Sequence, residues 1–302
     1  MNLPFEYDQV ALGEFGGTTP TTTDFANARV VILPVPLDRT TSYVSGTRNG
    51  PHEILVASSH MELWDEETET DVHSIGIFTL PEMEFPFAAM DEVVCEIRRV
   101  ASELVNRGKF PLILGGEHSI TPAVVGAVAA KYPDLSVLQI DAHADLRESF
   151  MGTAHNHACA MRRTLDFAPI TQVGIRSLSP DEAAAAGGLR TKIFYDFNMR
   201  ADPNWMDRVV DSLTDTVYVS IDVDGLDPAI MPATGTPEPG GLSWYEALAL
   251  LRKVIERRTV VGCDIVELSP IAGNIAPNFL CAKLIYKILS YRFGPELRHA
   301  AR

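Results

Sequence analysis

Short apolar runs alternate with longer amphipathic segments along the whole chain. Proline, glycine or a charged residue usually ends each run, and the longer segments repeat apolar residues at helical spacing. Buried strands of a parallel sheet show such runs, and amphipathic helices return the chain between them. The pattern therefore predicts an α/β fold with a mostly parallel central sheet. The predicted strands cover residues 28–33, 111–114, 135–140, 172–176, 191–195, 217–221 and 260–265, and the predicted helices cover 51–60, 90–105, 244–255 and 276–291.

No change in composition divides the chain into two domains. The protein has 302 residues, and the 46% that are hydrophobic suffice for a buried sheet with helices on both faces. Strand and helix patterns alternate to the end, so we expect residues 1–302 to form one domain. Residues 1–27 precede the first predicted strand, and we expect this extension to form a loop or an oligomer contact.

Polar residues follow the run at 135–140 directly, in the order Asp141, His143 and Asp145. Side chains in a strand alternate, so these three would share one face if the extended conformation continued that far. They would then converge at the carboxyl end of the strand. Ligands of open α/β sheets bind at this edge.

Two further runs end in the same way. Asp222 and Asp224 follow the run at 217–221, and His118 follows the run at 111–114. Four neighbouring aspartates cannot all stay ionised without a counter-charge, and two divalent cations would supply it. Ligation by many oxygens and one imidazole per ion suits Mn²⁺ better than Zn²⁺. The sequence predicts a site for two metal ions.

Charge and cysteine usage narrow the partners and the compartment. The formal charge of −15 disfavours nucleic acid and anionic membranes, because both attract basic surfaces, and it is compatible with a cationic substrate. The first residues lack the basic and apolar regions of a signal peptide. Four cysteines form no C-x-x-C pair, which is typical of reduced thiols, so we expect a cytoplasmic protein.

Several motifs in one order resemble the ureohydrolase (arginase/agmatinase) family, and most closely its agmatinases. The resemblance covers nearly the whole chain. The motifs are TSYVSGTRNGP at 41–51, GGEHS at 115–119, DAHAD at 141–145, NHACAMRR at 156–163, VGIRS at 173–177, SIDVDGLDP at 220–228, TGTPEPGG at 234–241 and VELSP at 266–270.

The resemblance implies a three-layer α-β-α fold with a binuclear manganese site. It implies hydrolysis of a guanidino compound, most closely agmatine to putrescine and urea, by a homo-oligomer, a trimer or hexamer. Asp141 and Asp222 would bridge the two ions. The ligands of one ion would be His118, Asp141, Asp145 and Asp222, and those of the other Asp141, His143, Asp222 and Asp224.

The resemblance also implies three catalytic residues. Asp145 would accept a proton from the nucleophile and pass it to the leaving amine. Glu267 matches the residue that pairs with the planar guanidinium, to which a carboxylate offers two acceptors. His157 matches the proton-shuttling histidine of the family, and His155, two residues away, is the residue most easily confused with it.

Departures from the arginase pattern bear on the substrate. Arg147 and Glu148 follow the DAHAD motif where arginases place an asparagine that helps to hold an α-carboxylate. Arg147 could clamp a carboxylate, whereas Glu148 and the acidic stretch at 65–71 favour a cationic tail. Glu117 replaces the aspartate of many relatives, which we expect to be harmless. We expect Arg176 to form a buried or interfacial ion pair.

Three alternatives remain open at this point. The substrate could be a related compound, such as aminopropylagmatine, guanidinobutyrate or arginine. The chain could instead be a metal-binding relative without catalysis, which urea release from guanidino compounds would exclude. A mononuclear zinc deacylase would need only two carboxylates and one histidine, and a single zinc per chain would support it.

Overall fold

The central element is an eight-stranded sheet in which every neighbouring pair of strands is parallel. A computed structural model describes residues 3–7, 9–10, 13–17 and 24–300. The strands are β1 Gln9–Val10, β2 Val30–Val35, β3 Ile77–Thr79, β4 Glu82–Met83, β5 Phe110–Gly115, β6 Leu135–Ile140, β7 Ile170–Ile175, β8 Thr191–Tyr195, β9 Thr216–Asp222 and β10 Thr259–Val266. The strand order is β3-β2-β5-β10-β9-β6-β7-β8, and a separate antiparallel pair joins β1 to β4.

Helices cover both faces of the sheet. The α-helices are α1 Gly50–Ser58, α2 Met90–Asn106, α3 Thr121–Lys131, α4 Ala160–Thr164, α5 Pro180–Ala186, α6 Asp196–Met199, α7 Trp205–Asp211, α8 Trp244–Arg257 and α9 Ala276–Ala300. Short 3₁₀ helices cover Thr47–Asn49, Val72–Ile75, His118–Ile120, His157–Cys159 and Val223–Gly225.

Alternation along the strands divides the core into two layers. In β2, Val30 and Ile32 enter one buried cluster and Val31 and Leu33 enter the other. Helices α1, α7, α8 and α9 pack on the first cluster, and α2, α3 and α4 pack on the second. Because both faces are covered, the strands are apolar throughout. The predicted three-layer α/β architecture is therefore confirmed.

The seven predicted strands are all present, but the sequence pattern misses elements between them. Helix α3 is buried on all sides from Thr121 to Val128, so its sequence carries no polar stripe to mark a helical period. Strand β3 has three residues, too few for a recognisable alternation. Ser243 and Glu246 form the predicted capping box at the start of α8.

The first 27 residues contact the body of the protein where the structure describes them. Gln9 pairs with Met83, and Phe15 is buried in the core with its amide donating to Oγ1 of Thr79. In the part of the chain that the structure describes, no helix is both long and apolar enough to cross a lipid bilayer.

Sheet order brings the functional motifs together. The four adjacent strands β5, β10, β9 and β6 end at Gly115, Val266, Asp222 and Ile140, and each motif begins at or just after such an end. Their carboxyl ends lie side by side in the middle of the sheet, where ligand sites of this class of fold form.

Candidate metal centre and active-site pocket

Asp141, His143 and Asp145 converge, although the extended conformation that predicts this is absent. Strand β6 ends at Ile140, and Oδ1 of Asp141 then accepts the amide of His143 at 2.6 Å. Asp145 has a φ of 53°, in the left-handed region that non-glycine residues rarely adopt. The side chains meet because the backbone turns back on itself, so the predicted strand alternation through Asp145 is wrong.

Asp222 and Asp224 also converge through a turn. Asp222 is the last residue of β9, and Asp224 lies in the 3₁₀ helix Val223–Gly225. Oδ1 of Asp222 accepts the amide of Asp224 at 2.9 Å, and Oδ1 of Asp224 accepts the amide of Ala142 at 3.0 Å. These backbone hydrogen bonds fix both carboxylates and connect the end of β9 to the end of β6.

A first group of possible metal ligands surrounds His118. Its Nδ1 lies 3.1 Å from Oδ2 of Asp145, 3.2 Å from Oδ2 of Asp141 and 3.4 Å from Oδ2 of Asp222. The nitrogen is buried, and none of these contacts has hydrogen-bond geometry. One imidazole nitrogen facing three carboxylate oxygens at nearly equal distances is an arrangement that a cation between them would satisfy.

A second group adjoins the first through Asp141. Nδ1 of His143 lies 2.9 Å from Oδ2 of Asp224 and 3.6 Å from Oδ1 of Asp141. Asp141, His143 and Asp224 each offer a ligand atom within 4.8 Å of the others, as do His118, Asp141 and Asp145. The two oxygens of Asp141 face different groups, so this residue can contribute to both.

Carboxylates shift the pKa of both imidazoles in the absence of metal. Burial lowers the pKa of His118, but Asp141, Asp145 and Asp222 outweigh burial and raise it well above its ordinary value. Burial likewise lowers the pKa of His143, and the charge of Asp224 raises it to about 12. Two protonated imidazoles therefore neutralise part of the acidic cluster.

The carboxylates share the remaining charge unequally. Burial and neighbouring charges raise the pKa of Asp145 to about 6 and hold the pKa of Asp222 and Asp224 above the ordinary value. Burial opposes the ionisation of Asp141, but His118 and His143 hold its pKa below the usual range. Such a cluster needs positive charge, and divalent cations bound by oxygen and imidazole ligands supply it. The residues fit metal ions on both counts, donor type and charge.

Two buried residues behind His118 were not recognised in the sequence. Nε2 of His118 is 2.9 Å from Oγ of Ser220, which donates to Oδ1 of Asp264 at 2.7 Å. Tyr218 and Thr121 donate to the other oxygen of Asp264. These hydrogen bonds, from His118 through Ser220 to Asp264, orient the imidazole of His118 so that its Nδ1 faces the carboxylates. The sequence signal that could have revealed these partners is a charged residue, Asp264, inside the apolar run at 260–265.

Glu267 and His157 lie beside the first group. Oε1 of Glu267 accepts the amide of His118 at 2.7 Å and lies 3.5 Å from Nδ1 of His157. Burial lowers the pKa of His157, but Glu267 outweighs it and raises the pKa. Glu267 has a φ of 66°, a conformation that costs about 1–3 kcal/mol for a residue other than glycine. His155 instead contacts Asp91 at 3.0 Å.

A pocket of about 230 Å³ opens above these residues. Its wall includes four acids already described, one further acid, two histidines and several neutral residues. They are Asp145, Asp222, Asp224 and Glu267, then Glu182, then His143 and His157, and residues such as Ser42, Phe150 and Thr236. The described residues of this wall include five acids and one arginine, Arg147. The pocket therefore has a strongly acidic wall before any metal is bound.

Arg147 lies in the pocket, whereas Glu148 does not. The guanidinium of Arg147 lies over the ring of Phe150 at 4.7 Å, and its Nε is 3.7 Å from Oε2 of Glu182. Glu148 is exposed and pairs with Arg162 and Arg163 at 2.7 and 2.6 Å. Glu148 is therefore not among the residues that line the pocket, and the expectation that it attracts the substrate tail is wrong as far as direct contact is concerned.

The acidic stretch at 65–71 also lies away from the pocket. Its first three acids surround Lys287 of α9, whose Nζ is 2.8 Å from Asp65, 3.0 Å from Glu66 and 3.3 Å from Glu67. Lys287 is 3% exposed and Asp65 is fully buried. These acids hold the chain segment against α9, so they cannot line a substrate site.

Arg176 does not form the expected ion pair with any described residue. Its guanidinium donates to backbone carbonyls, including that of Asp224 at 2.6 Å and that of Glu238 at 3.0 Å. It also donates to the carbonyl of Gly174 at 3.1 Å. Arg176 thus holds the loop at 234–241 against the segment that carries Asp224.

Comparison with known proteins agrees with this fold and cluster. The sequence model of the arginase family matches residues 28–290. The chain is 40% identical to N(1)-aminopropylagmatine ureohydrolase of Synechocystis sp. over 277 residues, which are 89% of this chain and 90% of that protein. It is 34% identical to agmatinase of Pyrococcus horikoshii over 272 residues, 89% and 93% of the two chains.

Solved structures show the same architecture. Agmatine ureohydrolase of Thermoplasma volcanium superimposes with a TM-score of 0.86 at 33% identity, covering 96% of this chain and 97% of that one. Arginase from Bacillus caldovelox shares the fold, with a TM-score of 0.76 at 24% identity over 87% and 98% of the two chains. The chain belongs to the arginase family. Within it, the protein is a hydrolase of the ureohydrolase type.

Proposed function

We propose that the protein hydrolyses a linear guanidino amine to urea and the corresponding amine. Agmatine, with putrescine as product, and its aminopropyl derivative are the two candidates. The relative at 40% identity is named an aminopropylagmatine ureohydrolase, which supports the aminopropyl derivative, and the relative at 34% identity is named an agmatinase, which supports agmatine. Guanidinobutyrate and arginine, which carry a carboxylate, are the less favoured substrates because of the charge of the pocket wall.

Two Mn²⁺ ions are the cofactor that the donors support best. His118, Asp141, Asp145 and Asp222 would hold one ion, and Asp141, His143, Asp222 and Asp224 the other. Oxygen ligands with one imidazole per ion favour Mn²⁺ over Zn²⁺. When bound, such a pair of ions lowers the pKa of water enough to supply hydroxide at neutral pH.

The residues of the chain position the substrate and move the proton. Glu267 pairs with the planar guanidinium, which places the guanidinium carbon over the acidic cluster. Asp145 takes the proton that the attacking water loses and delivers it to the leaving nitrogen, because an amine leaves only when protonated. His157, which lines the pocket 3.5 Å from Glu267, passes protons between the site and solvent.

The charge of the pocket wall carries the substrate assignment. Asp145, Asp222 and Asp224 would face the metal ions and Glu267 the guanidinium, which leaves Glu182 as the acid for the substrate tail among the described residues of the wall. The guanidinium of Arg147, the arginine among those residues, faces Phe150 and Glu182. A substrate carboxylate would have to compete with Glu182 for Arg147, and an unpaired buried carboxylate costs about 1–3 kcal/mol or more. A cationic tail beside Glu182 meets no such penalty.

Urea release measured for several compounds on the Mn²⁺-loaded protein tests this proposal. We expect kcat/KM for agmatine or aminopropylagmatine to exceed that for arginine by at least about a hundred-fold, roughly 2.7 kcal/mol. Comparable constants, or a preference for arginine, would contradict the substrate assignment. No urea from any guanidino compound, with two ions bound, would identify a metal-binding relative without catalysis. A single zinc per chain would favour a mononuclear deacylase.

The assembly and compartment belong to the same proposal. We propose a cytoplasmic homo-oligomer, a trimer or hexamer, by resemblance to the family. Large exposed apolar side chains, among them Tyr43, Phe87 and Ile275 at 79%, 99% and 75% exposure, support burial against other copies. A monomer in solution scattering at micromolar concentration would contradict the oligomer.

A further inference from the structure

Glu117 is fully buried beside the ligand His118, and both of its carboxylate oxygens are occupied by donors. Oε2 accepts the amides of Arg39 at 2.7 Å and Thr40 at 2.6 Å. Oε1 accepts the hydroxyls of Thr40 at 2.7 Å and Ser119 at 2.6 Å. A buried carboxylate with four donors fixes the segments that supply them, because each donor would otherwise be buried without a partner.

Thr40 transmits this restraint to the catalytic segment. Its hydroxyl has one proton, which it donates to Glu117, so its lone pairs remain free to accept. Oγ1 of Thr40 accepts the amide of His157 at 3.0 Å, and the carbonyl of Thr40 accepts Nδ2 of Asn156 at 3.4 Å. The backbone of His157 is therefore held by a residue that Glu117 orients.

The contacts close into a ring that meets the pocket at His157 and Glu267. On its other side, Nδ1 of His157 faces Oε1 of Glu267 at 3.5 Å, and that oxygen accepts the amide of His118. His118 follows Glu117 in the chain, which completes the ring. Two carboxylates thus fix His157 from opposite sides, one through Thr40 and the other directly.

We propose that Glu117 is a positioning residue that acts through Thr40 to place His157 against Glu267. The inference rests on the proposed role of His157 in proton transfer. Glutamine can keep its carbonyl oxygen on the two amides, but its NH2 group would then donate to the hydroxyls of Thr40 and Ser119 and reverse the hydrogen bond that orients Thr40.

The test compares Thr40→Val, which keeps the shape and removes the hydroxyl, with Thr40→Ser, which restores it. We expect Thr40→Val and Glu117→Gln each to lower kcat by about ten-fold, with metal content and KM nearly unchanged, and Thr40→Ser to retain activity. His157→Asn should lower kcat by about a hundred-fold. Adding Thr40→Val to it should cause no further loss, because the threonine acts through the histidine. A multiplicative loss would overturn the proposal.

Hydrogen–deuterium exchange separates this inference from the proposed function. The amide of His157 is protected by Thr40 whether or not the protein releases urea. Exchange of the peptide that contains His157 should therefore be faster in Thr40→Val and Glu117→Gln and unchanged in Thr40→Ser. Unchanged exchange in both Thr40→Val and Glu117→Gln would show that Glu117 and Thr40 do not restrain the backbone of His157. Faster exchange in a protein that releases no urea would refute the proposed function alone.

Discussion

Nδ1 of His118 lies 3.1 Å from Oδ2 of Asp145, although the two residues leave the sheet from different strands. His118 opens the 3₁₀ helix after β5, and Asp145 lies five residues beyond the end of β6. The left-handed backbone of Asp145 turns its carboxylate back over the sheet edge. Its neighbour across the site, Glu267, has the same unusual conformation. Strained backbone of this kind clusters at functional sites, so its presence at both positions agrees with a functional site whose structure overrides the conformational preference of these residues.

Removal of Asp141 or Asp222 should abolish metal binding. Asp141→Ala deletes oxygens that face both ligand groups, and Asp222→Ala deletes one that faces His118. We expect metal analysis to find two Mn²⁺ per chain in the parent protein and less than one in either variant, with no activity. Glu148→Ala is the matched control, because that carboxylate pairs with surface arginines. Two tightly bound ions in the Asp141 or Asp222 variant would disprove the ligand assignment.

Glu267→Gln should preserve the metals and lose turnover. Glutamine keeps an oxygen that can accept the amide of His118, so the fold of the site survives. It loses a charge-assisted contact with the guanidinium, worth about 1.5–3 kcal/mol or roughly ten- to a hundred-fold in kcat/KM. Steady-state urea release with metal analysis measures both effects. An unchanged kcat/KM would show that Glu267 does not hold the guanidinium.

Ser220→Ala should weaken metal binding without removing a ligand. The serine hydroxyl is the partner of Nε2 of His118 and donates to the buried Asp264. Loss of such an orienting contact typically costs about 10–100-fold in metal affinity. Titration of the apo-protein with Mn²⁺ measures the change, and Ser212→Ala, between α7 and the start of β9 at the opposite end of that strand from the site, serves as the control. Equal affinities in the two variants would argue against the orienting role.

Lys287→Met should destabilise the protein strongly near neutral pH. The substitution leaves the buried carboxylate of Asp65 without its cation, which costs about 3–5 kcal/mol of unfolding free energy. Lys253→Met is the control, since its partner Asp207 is half exposed and solvent screens such surface pairs. Urea denaturation of both variants at pH 7 measures the difference.

The cost of Lys287→Met should depend on pH with a definite sign. Burial opposes the charge of Asp65, but Lys287 and Thr68 hold the pKa of Asp65 below its ordinary value. The ionised Asp65 therefore contributes to the free energy of unfolding at pH values above its pKa in the unfolded chain. This contribution is lost as pH falls through the pKa of Asp65 in the folded protein. Burial lowers the pKa of Lys287, but its acidic partners raise it, so this contribution is lost at high pH. The cost should be largest between about pH 5 and 9 and shrink in acid. A cost that grows in acid would contradict the pairing.

Local sequence was sufficient for the strands and for the residues at their ends. An apolar run that stops at an aspartate marks both the strand and the edge at which it ends, as in Ile140 followed by Asp141. The partners behind the site depend on strand register instead. Ser220 and Asp264 are neighbours only because β9 and β10 pair in one register. No property of either segment alone fixes that register.

The acidic stretch shows a different limit of sequence reasoning. Its charges suggested attraction of a cationic substrate, but their partner Lys287 lies more than two hundred residues further along the chain. Charge counts cannot distinguish an acid that faces solvent from one that pairs with a distant lysine. Likewise, helix α3 has no polar stripe from Thr121 to Val128 because that stretch is buried on all sides.

The position of β10 in the sheet has a consequence for how the protein is made. It is the last strand in the chain, yet it lies between β5 and β9. Until the ribosome releases residues 259–266, no strand can join β3-β2-β5 to β9-β6-β7-β8, and β5 and β9 each lack a partner on one edge. Exposed strand edges are sites of aggregation. His118 follows a strand of one group and Asp141 a strand of the other, so the candidate metal centre is incomplete until β10 joins them.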